Sequence, residues 1–326
     1  MRILVFGGGL YHERYVSLAS ASHVARVLRG RGHEVTQVDL DTSSHALMED
    51  EEFDAIVNLL HGRDGEDGSF QSALELRGST LVGSGSEAAR RAFDKAISPS
   101  VLRDARLGVP RYRVVTRELV RELGSSWYVD YLLSDLGGRV VVKPRFGGSA
   151  LGVTIASDTT SLAHGLGTAF RYDEVAIVQE FVSGVEVSIC LIESGEGLIA
   201  LPAVKVGLEA GEWYDFEHRT SATSMRLIYG DEIEGIDKSR CQRDALSAAA
   251  AFGMRGFSRV DMIVPDDGVP RILEVAVTPG MTENSLFPKV VAAAGLDFGA
   301  VWSSLVELAV MAGSGGNGSV LGVDPE

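Results

Sequence analysis

Cysteine is almost missing from this chain. Only Cys190 and Cys241 occur among 326 residues, too few for a disulfide framework, and both read as buried thiols. Positive charge is in deficit: 30 Lys and Arg stand against 45 Asp and Glu, a formal net charge of −15. That balance speaks against sequence-independent binding of nucleic acid, which needs a basic surface to displace counterions. A polyanion bound here would be held by a few placed cations. No apolar run approaches the roughly 18 residues of a membrane span. The opening MRILVFGGGLYHERYVSL reads as a first β-strand, not as a secretory leader. These absences predict a cytoplasmic protein with neither nucleic acid nor membrane as partner. Two nucleotide signatures are missing as well. GxxxxGK[ST] does not occur, and GxGxxG fails because the sixth position counted from Gly7 is His12. A P-loop kinase or a nicotinamide dehydrogenase is therefore unsupported. No internal repeat is evident.

What is present is ordinary for a globular protein: 45% hydrophobic and 23% charged residues. A disordered chain is excluded, and the length allows two or three domains. The first third alternates strands at 2–6, 34–40, 55–60 and 80–82 with helices at 16–29 and 69–76. Strands separated by helices imply a parallel sheet, whose ligands gather at the carboxyl ends of strands. Gly7 to Gly9 and the segment 61–68 fall at such ends. A single helix is expected over 86–107, and 123–134 is ambiguous. RVVVKP (139–144) and VTIA (153–156) flank a glycine-rich turn. A helix at 161–170 and a strand at 175–181 complete a small α+β unit. Two strands are expected within 184–206, a loop or lid over 211–234 and a helix over 245–252. FSRVDMIV (257–264) and PRILEVAV (270–277) should pair around the turn 266–268. The Gly- and Ser-rich tail 311–326 should be loose.

Three constellations could carry chemistry. Lys143 ends a strand just before Gly147, Gly148, Ser149 and Gly152. This is either an ordinary hairpin with a snorkelling lysine or a loop that lays N–H groups over phosphates beside a cation. Asp261 and Glu274 sit among apolar residues on adjacent predicted strands. They either face solvent on an amphipathic sheet or point inward, where a cation such as Mg²⁺ must balance them. Arg259, two residues before Asp261, shares its strand face. An arginine beside a metal–carboxylate pair suits a phosphoryl group or an oxyanion. HGRDGEDGSFQ (61–71) is a solvated turn or a strand-end site.

Read together, these segments resemble the ATP-grasp superfamily, and within it the D-alanine–D-alanine ligase family. The resemblance covers roughly residues 1–305. It rests on HERYVSL (12–18), HGRDGEDGSFQ (61–71), GS with DK (83–95), VVKPRFGGSALGV (141–153), QEFVSGVEV (179–187), YDFE (214–217), SRVDM (258–262) and LEVAVTPGMTENSLFP (273–288). It implies an α/β chain of the ATP-grasp fold: a parallel-sheet N-terminal domain that binds substrate (1–90), then two α+β domains that clasp ATP. These are a central domain (91–183) and a C-terminal catalytic domain (184–310), followed by the tail (311–326).

The implied reaction phosphorylates a carboxylate with ATP to an acyl phosphate, which a second substrate's amine attacks to form an amide. The partners are thus small amino-acid-like carboxylates and amines, and the family suggests a homodimer. By the same resemblance Lys95, Lys143, Gly148 and Ser149 contact ATP phosphates. Gln179, Glu180 and Val182 line the adenine pocket, and Glu186 holds the ribose. Asp261 and Glu274 bind Mg²⁺ or Mn²⁺. Arg259 and the Gly280 backbone stabilise the oxyanion. Glu13 takes the first substrate's ammonium with His61 nearby, and Ser285 and Leu286 receive the second substrate's carboxylate.

Four positions depart from the family pattern. The usual asparagine two residues after Glu274 is Ala276, which offers no ligand. The Lys-Tyr pair of the lid is Arg219 and Thr220; Arg219 could still clamp an anion, but it is not equivalent to lysine. The second serine of the phosphate loop is Ala150. The lid 219–229 lacks its usual continuation. These departures favour an ATP-dependent carboxylate–amine ligase with altered substrates in specialised metabolism. The alternatives are a true D-alanine–D-alanine ligase and a catalytically weak nucleotide-binding protein.

Overall fold

A computed structural model describes residues 1–41, 52–123, 125–207 and 226–314. Three sheets organise the described residues. The first has the order β2-β1-β3-β4 and is wholly parallel, built from β1 (Arg2–Gly8), β2 (Glu34–Leu40), β3 (Ala55–Asn58) and β4 (Leu81–Val82). Its central strand β1 is buried from Ile3 onward, as expected of a parallel strand covered on both faces. Helix α1 (Arg14–Gly30) turns Ala21, Val24, Ala25 and Leu28 inward at three- and four-residue spacing. The short α2 (Arg63–Glu66) and α3 (Ser69–Leu76) follow β3.

The single helix expected over 86–107 is in fact two, α4 (Ser86–Phe93) and α5 (Ser98–Asp104). Between them Asp94 accepts the N–H of Ala96 and binds the Arg145 guanidinium. Pro99, in the first turn of α5, has no N–H with which to continue the preceding helix.

The second sheet runs β5-β8-β6-β7, from β5 (Tyr112–Thr116), β6 (Val140–Pro144), β7 (Thr154–Ala156) and β8 (Val175–Glu180). All its pairs are antiparallel, and β6 and β7 form the expected hairpin. The ambiguous stretch is helix α7 (Ser125–Asp135), preceded by α6 (Arg117–Leu123). With α8 (Thr159–Ala169), α7 covers one face of this sheet through Val129, Leu132, Leu162 and Leu166.

The third sheet has the order β12-β11-β9-β13-β14, with β10 pairing β9. Three strands occupy the region where two were expected: β9 (Val185–Ser194), β10 (Gly197–Ala200) and β11 (Val204–Gly207). Pro202 lies in the break between the last two, where a proline cannot serve a ladder. Part of the expected lid is β12 (Arg226–Tyr229), followed by a 3₁₀ turn at Gly230–Glu232; residues 208–225 lie outside the described residues. Helix α9 (Lys238–Phe252) packs against this sheet. β13 (Phe257–Val264) and β14 (Arg271–Ala276) pair antiparallel as expected.

The chain ends in α10 (Leu286–Ala293) and α11 (Phe298–Ser314). The first residues of the expected loose tail are therefore helical, and 315–326 lie outside the described residues. Phe287, Val290 and Val291 of α10 and Trp302, Leu305 and Val306 of α11 share one core with Ile3, Val5, Val57 and Val24. The first and third sheets are thus joined by a continuous core, while the second sheet has its own. Among the described residues no single helix is long and apolar enough to cross a membrane.

Candidate active site

A cleft of about 580 Å³ separates the second sheet from the third. Alternation along β6 builds one wall. Val140 and Val142 are buried in the core, whereas Val141 and Lys143 face the cleft, which the buried Pro144 also borders. Gln179 is the register partner of Val141 and therefore shares its face. The following residues Glu180, Val182 and Glu186 complete this edge of the cleft. Glu180 is fixed by Arg111, which donates its backbone N–H at 2.8 Å and its Nε at 2.6 Å. Lys95 also lines the cleft, and its Nζ donates to the Gly147 carbonyl at 2.5 Å. Burial, helped by the Lys95 charge and opposed by Glu274, pushes the Lys143 ammonium down to about 8.

The floor is the β13–β14 pair. Asp261 stands opposite Glu274, and Arg259 opposite Ala276. Arg259 and Asp261 lie on one face and form a two-pronged ion pair, Nε to Oδ1 at 2.8 Å and Nη2 to Oδ2 at 2.7 Å. Ser188 of β9 adds an O–H donor to Oδ1 at 2.6 Å. Burial works against the Arg259 charge, but the charge and hydrogen bonds of Asp261, with Glu274 beyond, outweigh it and hold the guanidinium above its ordinary value. Arg259 is therefore a fixed, permanently charged group.

Arg259 and Glu274 also border a second cavity of about 100 Å³. It is lined on its other sides by Glu13, His61, Glu66, Gly280, Ser285 and Leu286. Glu13 precedes α1 and is 6% exposed. It accepts a hydrogen bond at 2.5 Å from the hydroxyl of Ser149, on the glycine loop of the second sheet. That approach needs unusual backbone: Ser149 and Ala150 take φ of 51° and 59°. It also needs a bare Gly148, whose added Cβ would stand 2.9 Å from Glu13 Oε1. His61 is buried, and desolvation, with Arg259 adding repulsion against a Thr278 backbone hydrogen bond, pushes it down to about 4. It is neutral at pH 7. Gly280 lies so close to the Ser285 hydroxyl (2.9 Å from an added Cβ) that a side chain would displace it. Ser285 Oγ is oriented by the Thr282 N–H at 3.1 Å and hydroxyl at 2.7 Å.

All the site residues expected from the sequence that fall among the described ones border one of these two cavities. Arg219 and Thr220 lie outside the described residues. Glu66 was missed. It ends α2, its Oε2 accepts the Gly62 N–H at 2.7 Å and its Oε1 faces the Thr278 N–H at 3.4 Å. Burial raises its carboxyl well above the usual range, and Glu13 and Glu274 push the same way against those two N–H donors. The available signal was an acid flanked by glycines at a strand end, which does not tell one acid of HGRDGEDG from another. Among the described residues no cluster of three or more His, Cys, Asp or Glu is arranged to hold a metal. The donors offered at the cleft floor are the two carboxylates Asp261 and Glu274, since Ala276 presents only a methyl.

The family model for the D-ala D-ala ligase C-terminus matches residues 101–307. A D-alanine–D-alanine ligase from Anaeromyxobacter sp. strain Fw109-5 is 37% identical over 299 residues, spanning 91% of this chain and 93% of that protein. The D-alanine–D-alanine ligase of Geobacter sulfurreducens is 35% identical over 289 residues, 89% of this chain and 87% of its own length. Among solved structures, the Bacillus anthracis D-alanine–D-alanine ligase complexed with ATP superposes with a TM-score of 0.78 at 27% identity, covering 97% of this chain and 99% of that one. The VanG D-Ala:D-Ser ligase of Enterococcus faecalis also gives 0.78, at 25% identity and 94% and 99% coverage. A cleft with lysines on one wall, opening at Arg259 onto a small carboxylate-lined cavity, fits that relationship: the chain belongs to the D-alanine–D-alanine ligase family of ATP-grasp ligases.

Proposed function

We propose that the chain is a D-alanine–D-alanine ligase, in preference to a ligase of specialised metabolism. The observation that carries this reading is the small cavity, where the carboxylates of Glu13 and Glu66 and the fixed Arg259 guanidinium face a half-open space beside Ser285 and Leu286, a charge pattern suited to small amino acids. Similarity along nine-tenths of the chain to ligases of that name supports it.

In this reading ATP lies in the large cleft. Lys95, Lys143, Gly148 and Ser149 hold its phosphates, Gln179, Glu180 and Val182 its adenine, and Glu186 its ribose. Asp261 and Glu274 would hold Mg²⁺ or Mn²⁺. Two oxygen donors fit a cation that usually completes its shell with phosphate and water. Bound there, the cation neutralises charge on the transferring phosphoryl group. The first D-alanine places its ammonium at Glu13 and its carboxylate at Arg259 and the Gly280 backbone. A carboxylate oxygen attacks the γ-phosphorus, the bond to the β-γ bridging oxygen breaks, and ADP and an acyl phosphate result. The amine of the second D-alanine, whose carboxylate lies at Ser285 and Leu286, attacks the acyl carbon. Its proton passes to solvent, the acyl C–O bond breaks as phosphate departs with the bonding electrons, and the amide forms. Arg259 stabilises the tetrahedral oxyanion as a charge already in place. His61, being neutral, supplies hydrogen bonding without further positive charge.

The test is incubation with ATP, Mg²⁺ and a panel of D- and L-amino acids, reading phosphate release and products by mass spectrometry. Phosphate release with D-alanine alone, giving its dipeptide, is expected. Turnover only with other amine or carboxylate pairs would restore the specialised-metabolism reading. Nucleotide binding without any turnover would favour a binding protein. The D-Ala:D-Ser neighbour makes D-serine the first competing second substrate to include.

A further inference from the structure

The phosphate loop is gripped at two points by the N-terminal domain. At its tip, Ser149 meets Glu13. At its root, Phe146 lies under two guanidinium groups, with Arg63 at 4.5 Å and Arg145 at 4.9 Å from its ring centroid. The ring of Phe93 stacks on Phe146 at 5.7 Å with an interplanar angle of 26°. Arg145 is tied to its own side of the cleft by the two-pronged pair with Asp94. Arg63 is different: it is the first residue of α2 in the N-terminal domain, and it crosses to the second-sheet domain. There its Nη2 also donates to Asp173 at 3.0 Å. Asp173 is 7% exposed at its side chain, and its Oδ2 faces the backbone N–H of Phe146 at 3.3 Å. One carboxylate therefore serves both Arg63 and the loop root.

Helix α2 has four residues, and its other end is Glu66, on the small cavity. A single rigid turn thus carries both a cavity wall and the cation that sits on the phosphate loop. From this placement we infer that Arg63 and Phe146 are positioning residues of the ligase: a cation–aromatic latch by which the N-terminal domain sets the phosphate loop and couples the small cavity to nucleotide binding. The coupling half rests on the reading of that cavity as the amino-acid site. A guanidinium over a ring face is attractive even where, as at Arg63, it stays partly in water. A ligand that steadies α2 from the cavity side steadies the latch from which the loop hangs, and linkage makes the effect reciprocal.

The experiment uses the full chain with R63A, F146A and F146Y, each first checked for an unchanged circular dichroism spectrum and melting temperature within a few degrees of wild type. Two quantities are read: hydrogen exchange over residues 146–152 without ligand, and the Kd of ADP with Mg²⁺ by calorimetry, with and without D-alanine. R63A and F146A should exchange faster across 146–152 and bind ADP about two- to fivefold more weakly, the range for a cation–aromatic pair whose Arg63 side chain is 47% exposed. F146Y, which keeps the ring face, should stay near wild type. D-alanine should tighten ADP binding in wild type and F146Y and should do so less in R63A and F146A. Unchanged exchange and ADP affinity in both R63A and F146A would overturn the latch. Equal tightening by D-alanine in wild type and variants would overturn the coupling. If D-alanine does not bind wild-type protein while exchange and ADP affinity shift as expected, the latch stands and the reading of the cavity is what fails.

Discussion

Glu66 offers a sharp test of the site's electrostatics. Its carboxyl is buried beside Glu13 and Glu274 and is pushed up to about 8 from 4.5. The folded protein therefore keeps a proton that the unfolded chain gives up. Below pH 4.5 both states are protonated and Glu66 costs nothing. As pH rises toward 8 the unfolded state binds fewer protons than the folded one, so stability falls, and above that the loss is complete. At about 1.4 kcal/mol per pH unit the difference amounts to roughly 5 kcal/mol as an upper figure, since rearrangement of the neighbouring carboxyls absorbs part of it. Glu66→Gln removes the titration and keeps the shape. Its amide oxygen can still accept the Gly62 N–H, while its amide nitrogen meets the longer Thr278 contact. At pH 5 the variant should lie within about 1 to 2 kcal/mol of wild type. Urea unfolding at pH 5, 7 and 9 gives the assay. Wild type should lose several kcal/mol relative to Glu66→Gln between pH 5 and 9, with most of the loss by pH 8. Parallel stability curves for the two proteins across that range would refute the argument.

Other consequences can be checked directly. Arg259→Lys keeps a charge but loses the fork that grips Asp261; kcat should fall about 100- to 1,000-fold, while ADP affinity, followed by calorimetry, changes much less. Lys143 is held down to about 8, so ADP affinity should weaken as pH rises through that value and the ammonium discharges, and Lys143→Arg should flatten the profile. Ala276→Asn places an amide oxygen two residues from Glu274 on the same strand. It should raise the number of Mn²⁺ ions counted by electron paramagnetic resonance in the ADP complex and tighten the Mg²⁺ dependence; an unchanged count and titration would argue against a second cation at that position. Gly148→Ala puts a methyl against Glu13 and should weaken both ADP and D-alanine binding.

The sequence by itself determined most individual strands and helices, because period and punctuation are local, and the motifs shared with the ligase family implied the architecture that joins them. The alternation in RVVVKP, the apolar spacing of α1 and the short turn at 266–268 each report backbone geometry within a few residues. The antiparallel pairing of the strands that carry Asp261 and Glu274 follows from that turn, but their register does not: a bulge between Asp261 and Met262 shifts the ladder so that Asp261 stands opposite Glu274 and not Leu273. Elements failed to read where a single residue or a distant partner decides. Asp94 and Pro99 split a helical pattern, and Pro202 divides what reads as one strand.

Only the tertiary structure decided how the site closes. Glu13 and Ser149 are 136 residues apart, Glu66 and Thr278 are 212 apart, and no local pattern encodes which loops meet. Arg63 follows the last residues of β3 in the first sheet and Phe146 follows β6 in the second, so their contact exists only once the two sheets are set against each other. The charge states have the same origin. Desolvation makes His61 neutral, raises Glu66 and lowers Lys143, and desolvation depends on everything packed around a group, not on its neighbours in the chain.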